Sequence, residues 1–243
     1  MPKHILKQYC TKSFRKIRHR KGFGVHSPFA YSLITKVIEE SCSYYAYQQV
    51  DEIWRTQICN RLTPEDFLLR KPVSEKCGKL LFRLVNRFRP DTVFEYGSSW
   101  GISTLYLYLG NPKTRLVCAE PDPRVFEFSR KILTQKAQNV SFINSDFSEG
   151  LTEYLRTAES PGFICIHRLS DGSEYESVYE RLSLCLSDNT VIFVEGIRSD
   201  NSALSNWNKF ISDEKIRVTM DLFDMGIAVC DPKLNKQDYI VAF

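Results

Sequence analysis

Five short apolar runs recur along this chain every 22–28 residues, at 92–96, 115–120, 140–145, 162–167 and 190–195. Each is rich in β-branched or other apolar residues, and helical patterns lie between them. Ile102, Leu105, Tyr106 and Leu109 mark the first helix, which Gly110-Asn111-Pro112 stops. Val125, Phe128, Ile132 and Leu133 mark a second; Tyr175, Val178, Tyr179 and Leu182 mark a later one. Strands and helices alternating in this way form βαβ units, which build a parallel sheet covered on both faces. The expected fold is therefore α/β, a doubly wound and mostly parallel sheet. The end breaks the rhythm: 217–223 and 227–230 read as two strands joined by a hairpin-type turn at Asp224-Met225-Gly226, and Tyr239 to Phe243 as a last strand.

The first third lacks any strand rhythm. Residues 1–21 alternate basic residues with Ile5, Leu6, Tyr9, Phe14 and Ile17, a weakly helical period that Gly22-Phe23-Gly24 interrupts. Ser27-Pro28 then has the form of an N-cap followed by proline at the first helical position. Ile34, Val37 and Ile38 share one face of the helix that follows. Tyr44, Tyr45 and Tyr47 fall in a polar, aromatic segment, and Trp54, Ile58 and Leu62 suggest a short helix stopped before Pro64. From about residue 75, Leu81, Leu84, Val85 and Phe88 follow the i, i+3, i+4, i+7 pattern of an amphipathic helix ending near Pro90. The chain thus divides into a basic, helical extension or lid, 1–74, and a ligand-binding α/β domain, 75–243.

Charge supports the same division. Residues 1–38 hold nine Lys or Arg and no acid, which leaves 24 basic against 29 acidic residues on the rest. A basic arm on an acidic body can touch an anionic partner, or pack on its own domain. No apolar run approaches the ~18 residues of a membrane span. The start, Met1 to Lys7, lacks the apolar stretch of a signal peptide. The eight cysteines form no C-x-x-C pair, and Cys118 and Cys165 sit inside apolar strand runs. Such cysteines behave as buried free thiols, which suits the cytoplasm.

The chemistry concentrates where the first strand ends. Val93 to Leu105 spells an apolar run ending in Glu95, a small-residue loop and the start of an apolar helix. A junction of this type turns backbone N–H groups toward a ligand. Gly97 and Gly101 let backbone approach a ligand closely, or simply make a tight turn. Ser99 and Ser103 can hydrogen-bond a carboxylate at the helix N-terminus. Glu95 can accept from an ammonium group or order the loop. Glu120 can take both hydroxyls of a ribose, and Asp146 can accept from the exocyclic amine of an adenine. Either acid alone could be a solvated strand end. Together, at the carboxyl ends of successive strands where open α/β sheets bind ligands, they favour a nucleoside site. The spacing is E-x-G-x-S-x-G, not the G-x-G-x-x-G of a dinucleotide fold, which counts against an NAD dehydrogenase.

These residues resemble the Rossmann-like class I S-adenosylmethionine (SAM)-dependent methyltransferases, in the branch similar to catechol-type O-methyltransferases. The family's first motif, E-x-G-x-x-x-G-x-S, matches Glu95 to Ser103; its ribose acid falls on Glu120 and its adenine-side position on Asp146-Phe147. A group of bacterial methyltransferase-like proteins shares Gly24-Val25-His26-Ser27-Pro28-Phe29, the helix from Leu80 to Asn86 and the ending from Asp221 to Phe243. The resemblance implies SAM as cofactor, bound by Glu95, Gly97, Ser99, Gly101, Ser103, Glu120, Asp146 and Phe147. It implies methyl transfer to an oxygen or nitrogen of a small molecule, with no membrane span and room for a homodimer. No N/D-P-P-Y/F phrase follows strand four, which disfavours nucleic acid as substrate.

The chain departs from that pattern at two strand ends. The family's strand four usually ends in Asp, where this chain has His167. Strand five commonly ends in Asp-Asp or Asp-Asn, where this chain has Glu195-Gly196. Metal-dependent members hold magnesium with those acids; His167 and Glu195 make a poor cage for a hard cation, so no metal is expected unless Asp171 and Asp200 contribute. The candidate catalytic residues are His167, as general base, and Glu195, with His26 a third candidate should the arm fold over the cleft. The lost acids also suit a catalytically silent SAM-binding protein whose basic arm serves interaction.

Overall fold

The computed structural model describes residues 15, 18, 19, 21–134, 136–158 and 160–243. Ile5, Leu6, Tyr9, Phe14, Ile17 and Cys10 lie outside them, and with them the helical period expected for 1–21.

Ser27 caps helix α1 (Pro28–Leu33) by accepting from the Ala30 N–H at 3.3 Å, and a π turn, Ile34–Ile38, continues it. The expected inward face is present, with Ile34, Val37 and Ile38 buried. Helix α2 (Tyr45–Ile53) starts inside the polar, aromatic segment, ahead of the short helix expected around Trp54, Ile58 and Leu62, and runs on through a π turn, Trp54–Ile58, and a 3-10 turn, Cys59–Arg61. Tyr47 and Val50 face inward, and this tertiary burial outweighs a weak local signal. Thr63 and Asp66 form a reciprocal capping box for α3 (Pro64–Leu69).

Helix α4 (Glu75–Phe88) ties the extension to the sheet through Arg83, which is 6 % exposed. Its Nε donates to the Val37 carbonyl at 2.5 Å, Nη2 to that of Ile38 at 3.2 Å, and Nη1 to the Tyr47 hydroxyl at 3.2 Å. The guanidinium thus satisfies carbonyls at the end of the first helical segment, where cations are favoured. Ala30, Leu33, Ile58 and Tyr47 belong to the same apolar cluster as Leu81, Leu105 and the strand residues Val93 and Phe193. The extension therefore shares the core of the sheet.

The remaining elements alternate as the periodicity requires: β1 (Thr92–Tyr96), α5 (Ile102–Gly110), β2 (Arg115–Ala119), α6 (Pro123–Leu133), β3 (Val140–Ile143), α7 (Phe147–Thr157), β4 (Phe163–Ile166), α8 (Glu174–Cys185), β5 (Val191–Glu195) and α9 (Asn201–Ile211), then β6 (Val218–Asp221), β7 (Met225–Val229) and β8 (Gln237–Ile240). The eight strands lie in the order β3-β2-β1-β4-β5-β7-β6-β8. β1 to β5 are parallel, β7 is antiparallel to β5 and β6, and β8 runs parallel to β6. Alternate strand residues point to opposite faces. Val93, Cys165 and Phe193 join the cluster beneath α4 and α5, whereas Phe94, Ile164 and Ile192 pack against α7, α8 and α9. The expected α/β fold, with its antiparallel C-terminal hairpin, is present.

The hairpin turn lies earlier than the Asp-Met-Gly signal suggests. Asp221 pairs with Gly226 and the Leu222 N–H donates to the Met225 carbonyl, so Phe223-Asp224 makes the turn and Met225-Gly226 is already strand. Phe223 takes a left-handed φ of 79°, and tertiary contacts hold it there. Its ring lies between two guanidiniums, 5.2 Å from Arg15 Cζ and 5.5 Å from Arg198 Cζ. Both arginines bind the Asp221 carboxylate, each with one contact at 2.8 Å. Burial raises the Asp221 pKa, but its hydrogen bonds to Arg15 and Arg198 carry it below the ordinary aspartate range. The last strand likewise begins earlier than expected, at Gln237. The Ala242 N–H donates to the His19 carbonyl at 2.9 Å, so Arg15 and His19 both contact their own domain.

Candidate active site

The carboxyl ends of β1, β2, β4 and β5 gather the acids, the histidine and the glycine loop. β1 ends at Tyr96, and the chain turns away through Gly97 at a left-handed φ of 88°, with its N–H on the Ala119 carbonyl. Ser99 and Trp100 are also left-handed, at φ 46° and 62°, and Gly101 at 84° precedes α5. A Cβ on Gly97 would stand 3.3 Å from His167 Cβ, so glycine permits both the turn and the close packing of β4.

Glu120 is wholly buried at the end of β2. Its Oε2 accepts from the Ser98 N–H at 2.7 Å and the Ser98 hydroxyl at 3.1 Å; its Oε1 accepts from the Asp122 N–H at 3.1 Å and from Arg70 Nη2 at 3.5 Å. Ser99 and Ser103, expected at a ligand carboxylate, face protein partners: Ser99 Oγ accepts from the Val73 N–H, and Ser103 Oγ donates to the Ser98 carbonyl. Asp146 is exposed, and one of its oxygens accepts from the Glu149 N–H at the start of α7. Phe147 lies beneath Tyr96, their rings edge to face at 5.4 Å. Half-buried Tyr96 was not singled out from sequence. It ends β1 as Glu95 does, but it points to the opposite face.

His167 stands between two carboxylates. Its Nε2 lies 3.1 Å from Glu95 Oε1 and its Nδ1 3.1 Å from Glu195 Oε2. Glu95 is fully buried and accepts from the Thr104 hydroxyl at 2.6 Å, so of its two expected roles the structure displays the internal one. Burial works against a charged imidazole, but the flanking Cys165 sulfur and the two carboxylates outweigh it and hold the His167 pKa well above the usual value. Glu195 is likewise opposed by burial, yet the His167 hydrogen bond and charge carry its pKa below the ordinary glutamate range. The imidazole thus presents one ring nitrogen to each of two carboxyl groups in line. Of the three side chains Glu195 reaches solvent most, at 23 % exposed against 5 % for His167. Tyr175 fixes the strand end below it by donating to the Glu195 carbonyl at 2.6 Å.

His26 is exposed beside the Ser27 cap. Asp171 and Asp200 serve local structure: Asp171 accepts from the Ser173 N–H, and Asp200 caps α9 and holds the Gly172 N–H. Among the described residues no group of three His, Cys, Asp or Glu side chains converges to hold a metal ion.

Solved methyltransferase structures show the same α/β fold. A SAH-bound methyltransferase from Podospora anserina superposes with a TM-score of 0.60 at 16% identity, over 85% of this chain and 97% of its own. An O-methyltransferase from Bacillus cereus in complex with SAH gives 0.54 at 18% identity, covering 82% and 96%. The O-methyltransferase TomG from Streptomyces achromogenes, in complex with SAM and involved in tomaymycin synthesis, gives 0.56 at 18%, covering 78% and 91%. No family model and no curated protein matches the sequence.

Proposed function

We propose that this chain is a SAM-dependent methyltransferase acting on an oxygen or nitrogen of a small molecule. The observation that carries the reading is the Gly97–Gly101 turn, left-handed at both glycines and opening helix α5, set beside the buried strand-end acid Glu120. The residues suit the cofactor. The glycines permit the left-handed turn that opens α5, Glu120 would hold the ribose, and Asp146 with Phe147 and Tyr96 would flank the adenine. When bound, SAM supplies a methyl group already activated by its sulfonium.

The protein's own residues then have an acceptor to place and a proton to receive. In its charged form His167 donates through both ring nitrogens and has no lone pair for an incoming proton. Its assigned role is to hold Glu195, the more exposed carboxylate, at a fixed position at the end of β5. Glu195 accepts the hydrogen bond of the acceptor's O–H or N–H. A carboxylate held below its ordinary pKa is a weak base, so it takes the proton as the nucleophile gives up its electron pair to carbon. The seven described cysteines are free thiols, which fits a reducing, cytoplasmic setting.

Glu120→Ala should weaken SAM and SAH binding by about tenfold or more, about 1.4 kcal/mol. Titration calorimetry of wild type and variant measures this, with NAD as the control ligand. No heat with SAM or SAH, or equal affinity for NAD, rejects the reading.

A further inference from the structure

Glu120 has no exposed surface, although a ribose would have to reach it. A carboxylate offers about four acceptor positions, and here four donors fill them: the Ser98 N–H, the Ser98 hydroxyl, the Asp122 N–H and Arg70 Nη2. The fourth donor comes from outside the nucleotide-binding elements. Arg70 follows α3 in the extension, and its Nη1 lies 3.7 Å from the point where a Cβ on Gly97 would stand. The guanidinium therefore fills the space beside the first glycine of the loop.

The segment carrying Arg70 is fastened at both ends. Asp66 of α3 pairs with Arg124 at the start of α6 at 2.7 Å. Trp100 Nε1 donates to the Arg70 carbonyl at 2.7 Å, and the Val73 N–H donates to Ser99 Oγ at 2.5 Å. Residues 66–73 thus form a strap across the glycine loop, with one side chain directed at the ribose acid.

We propose that this strap closes the cofactor cleft in the free protein, with Arg70 as its plug, and that the nucleoside displaces Arg70 from Glu120 on binding. The inference rests on the cofactor reading above. The four donors differ in how readily they leave. The two backbone N–H groups are fixed by the loop. The Ser98 hydroxyl already has a second partner in the Ser129 hydroxyl at 2.8 Å. Arg70 holds on at 3.5 Å, the long limit of a hydrogen bond, and with 27 % of its side chain exposed it can swing into water. A ribose brings two hydroxyl donors and replaces these two labile ones. Closed and open forms therefore exchange donors one for one, and the observed dissociation constant is the intrinsic one divided by the open fraction.

Calorimetry with SAH as the probe tests this. Arg70→Met keeps the aliphatic stem and removes the plug, and should bind SAH at least about threefold more tightly than wild type. Arg70→Lys keeps the charge and should stay near wild type. Raising salt from about 0.05 to 0.5 M should tighten wild-type binding, because the solvent-facing side of the Arg70–Glu120 pair is screened, and should leave Arg70→Met unchanged. Equal or weaker binding by Arg70→Met, with wild type still binding, overturns the plug alone. No SAH binding by either protein overturns the plug and the cofactor reading together.

Discussion

Replacing His167 by alanine is expected to cost about 3–5 kcal/mol of folding stability, the range for removing one member of a buried ionic group. The loss leaves Glu95 fully buried, with the Thr104 hydroxyl as its remaining side-chain donor, and cuts Glu195 free. His167→Gln should be milder, since an amide can donate toward one carboxylate but turns its oxygen toward the other. The same cluster sets a pH profile. The His167 pKa is raised, so its contribution is complete below the unfolded value of about 6.5 and is lost as pH rises through the folded value. The Glu195 pKa is lowered, so its contribution is present above the unfolded value and is lost as pH falls through the folded one. The contribution of the cluster should be level between the unfolded glutamate and histidine values, about 4.3 and 6.5, fall toward acid, and decline through neutrality as pH rises above about 6.5. Urea midpoints measured across pH on wild type and His167→Gln check this: the variant should lose the alkaline decline. An identical alkaline arm in both proteins would show that His167 is neutral in the fold.

Arg83→Leu should cost about 3 kcal/mol, because it strands the Val37 and Ile38 carbonyls and the Tyr47 hydroxyl together. For a chain of this size that corresponds to a loss of roughly 6–12 °C in Tm. Arg83→Lys should recover only part of it, since an ammonium cannot reproduce the fork that reaches three acceptors. The damage should also be local. Native-state hydrogen exchange should quicken first in α1 and α2, while β1, β4 and β5 keep their protection. Uniform acceleration across the chain would mean that the extension and the sheet unfold as one unit.

The parts of the molecule governed by local rules were legible from residue order. Alternation of short apolar runs with helical periods is enough to place β1 to β5, of which β1, β2, β4 and β5 are buried on both faces and the edge strand β3 is partly exposed. The glycine loop and Glu120 were legible for a similar reason: strand ends are short and chemically distinctive. What stayed hidden depends on residues far apart in the chain. Nothing around Arg70 marks it as the neighbour of Glu120, fifty positions away. The line from Glu95 through His167 to Glu195 joins three strand ends that are neighbours in the sheet, although β2 and β3 separate the first two in the chain. The hairpin turn was misplaced because glycine is the usual carrier of a positive φ, whereas Phe223 is held there by two guanidiniums. Helix α2 was placed too late because its inward residues, Tyr47 and Val50, declare themselves only against α4 and α5.

Asp221 has a consequence for how the rim behaves in acid. Arg15 from the N-terminal arm and Arg198 from the segment after Glu195 reach the same carboxylate, and its ionised form is what lets two cations sit so close. Protonation would leave the two guanidiniums facing each other across a neutral group, and attraction would become repulsion. The depressed pKa delays this point, and once it is passed both contacts weaken together. Asp221 therefore acts as an acid fuse: a single proton would loosen the arm, the hairpin and the loop behind Glu195 in one step.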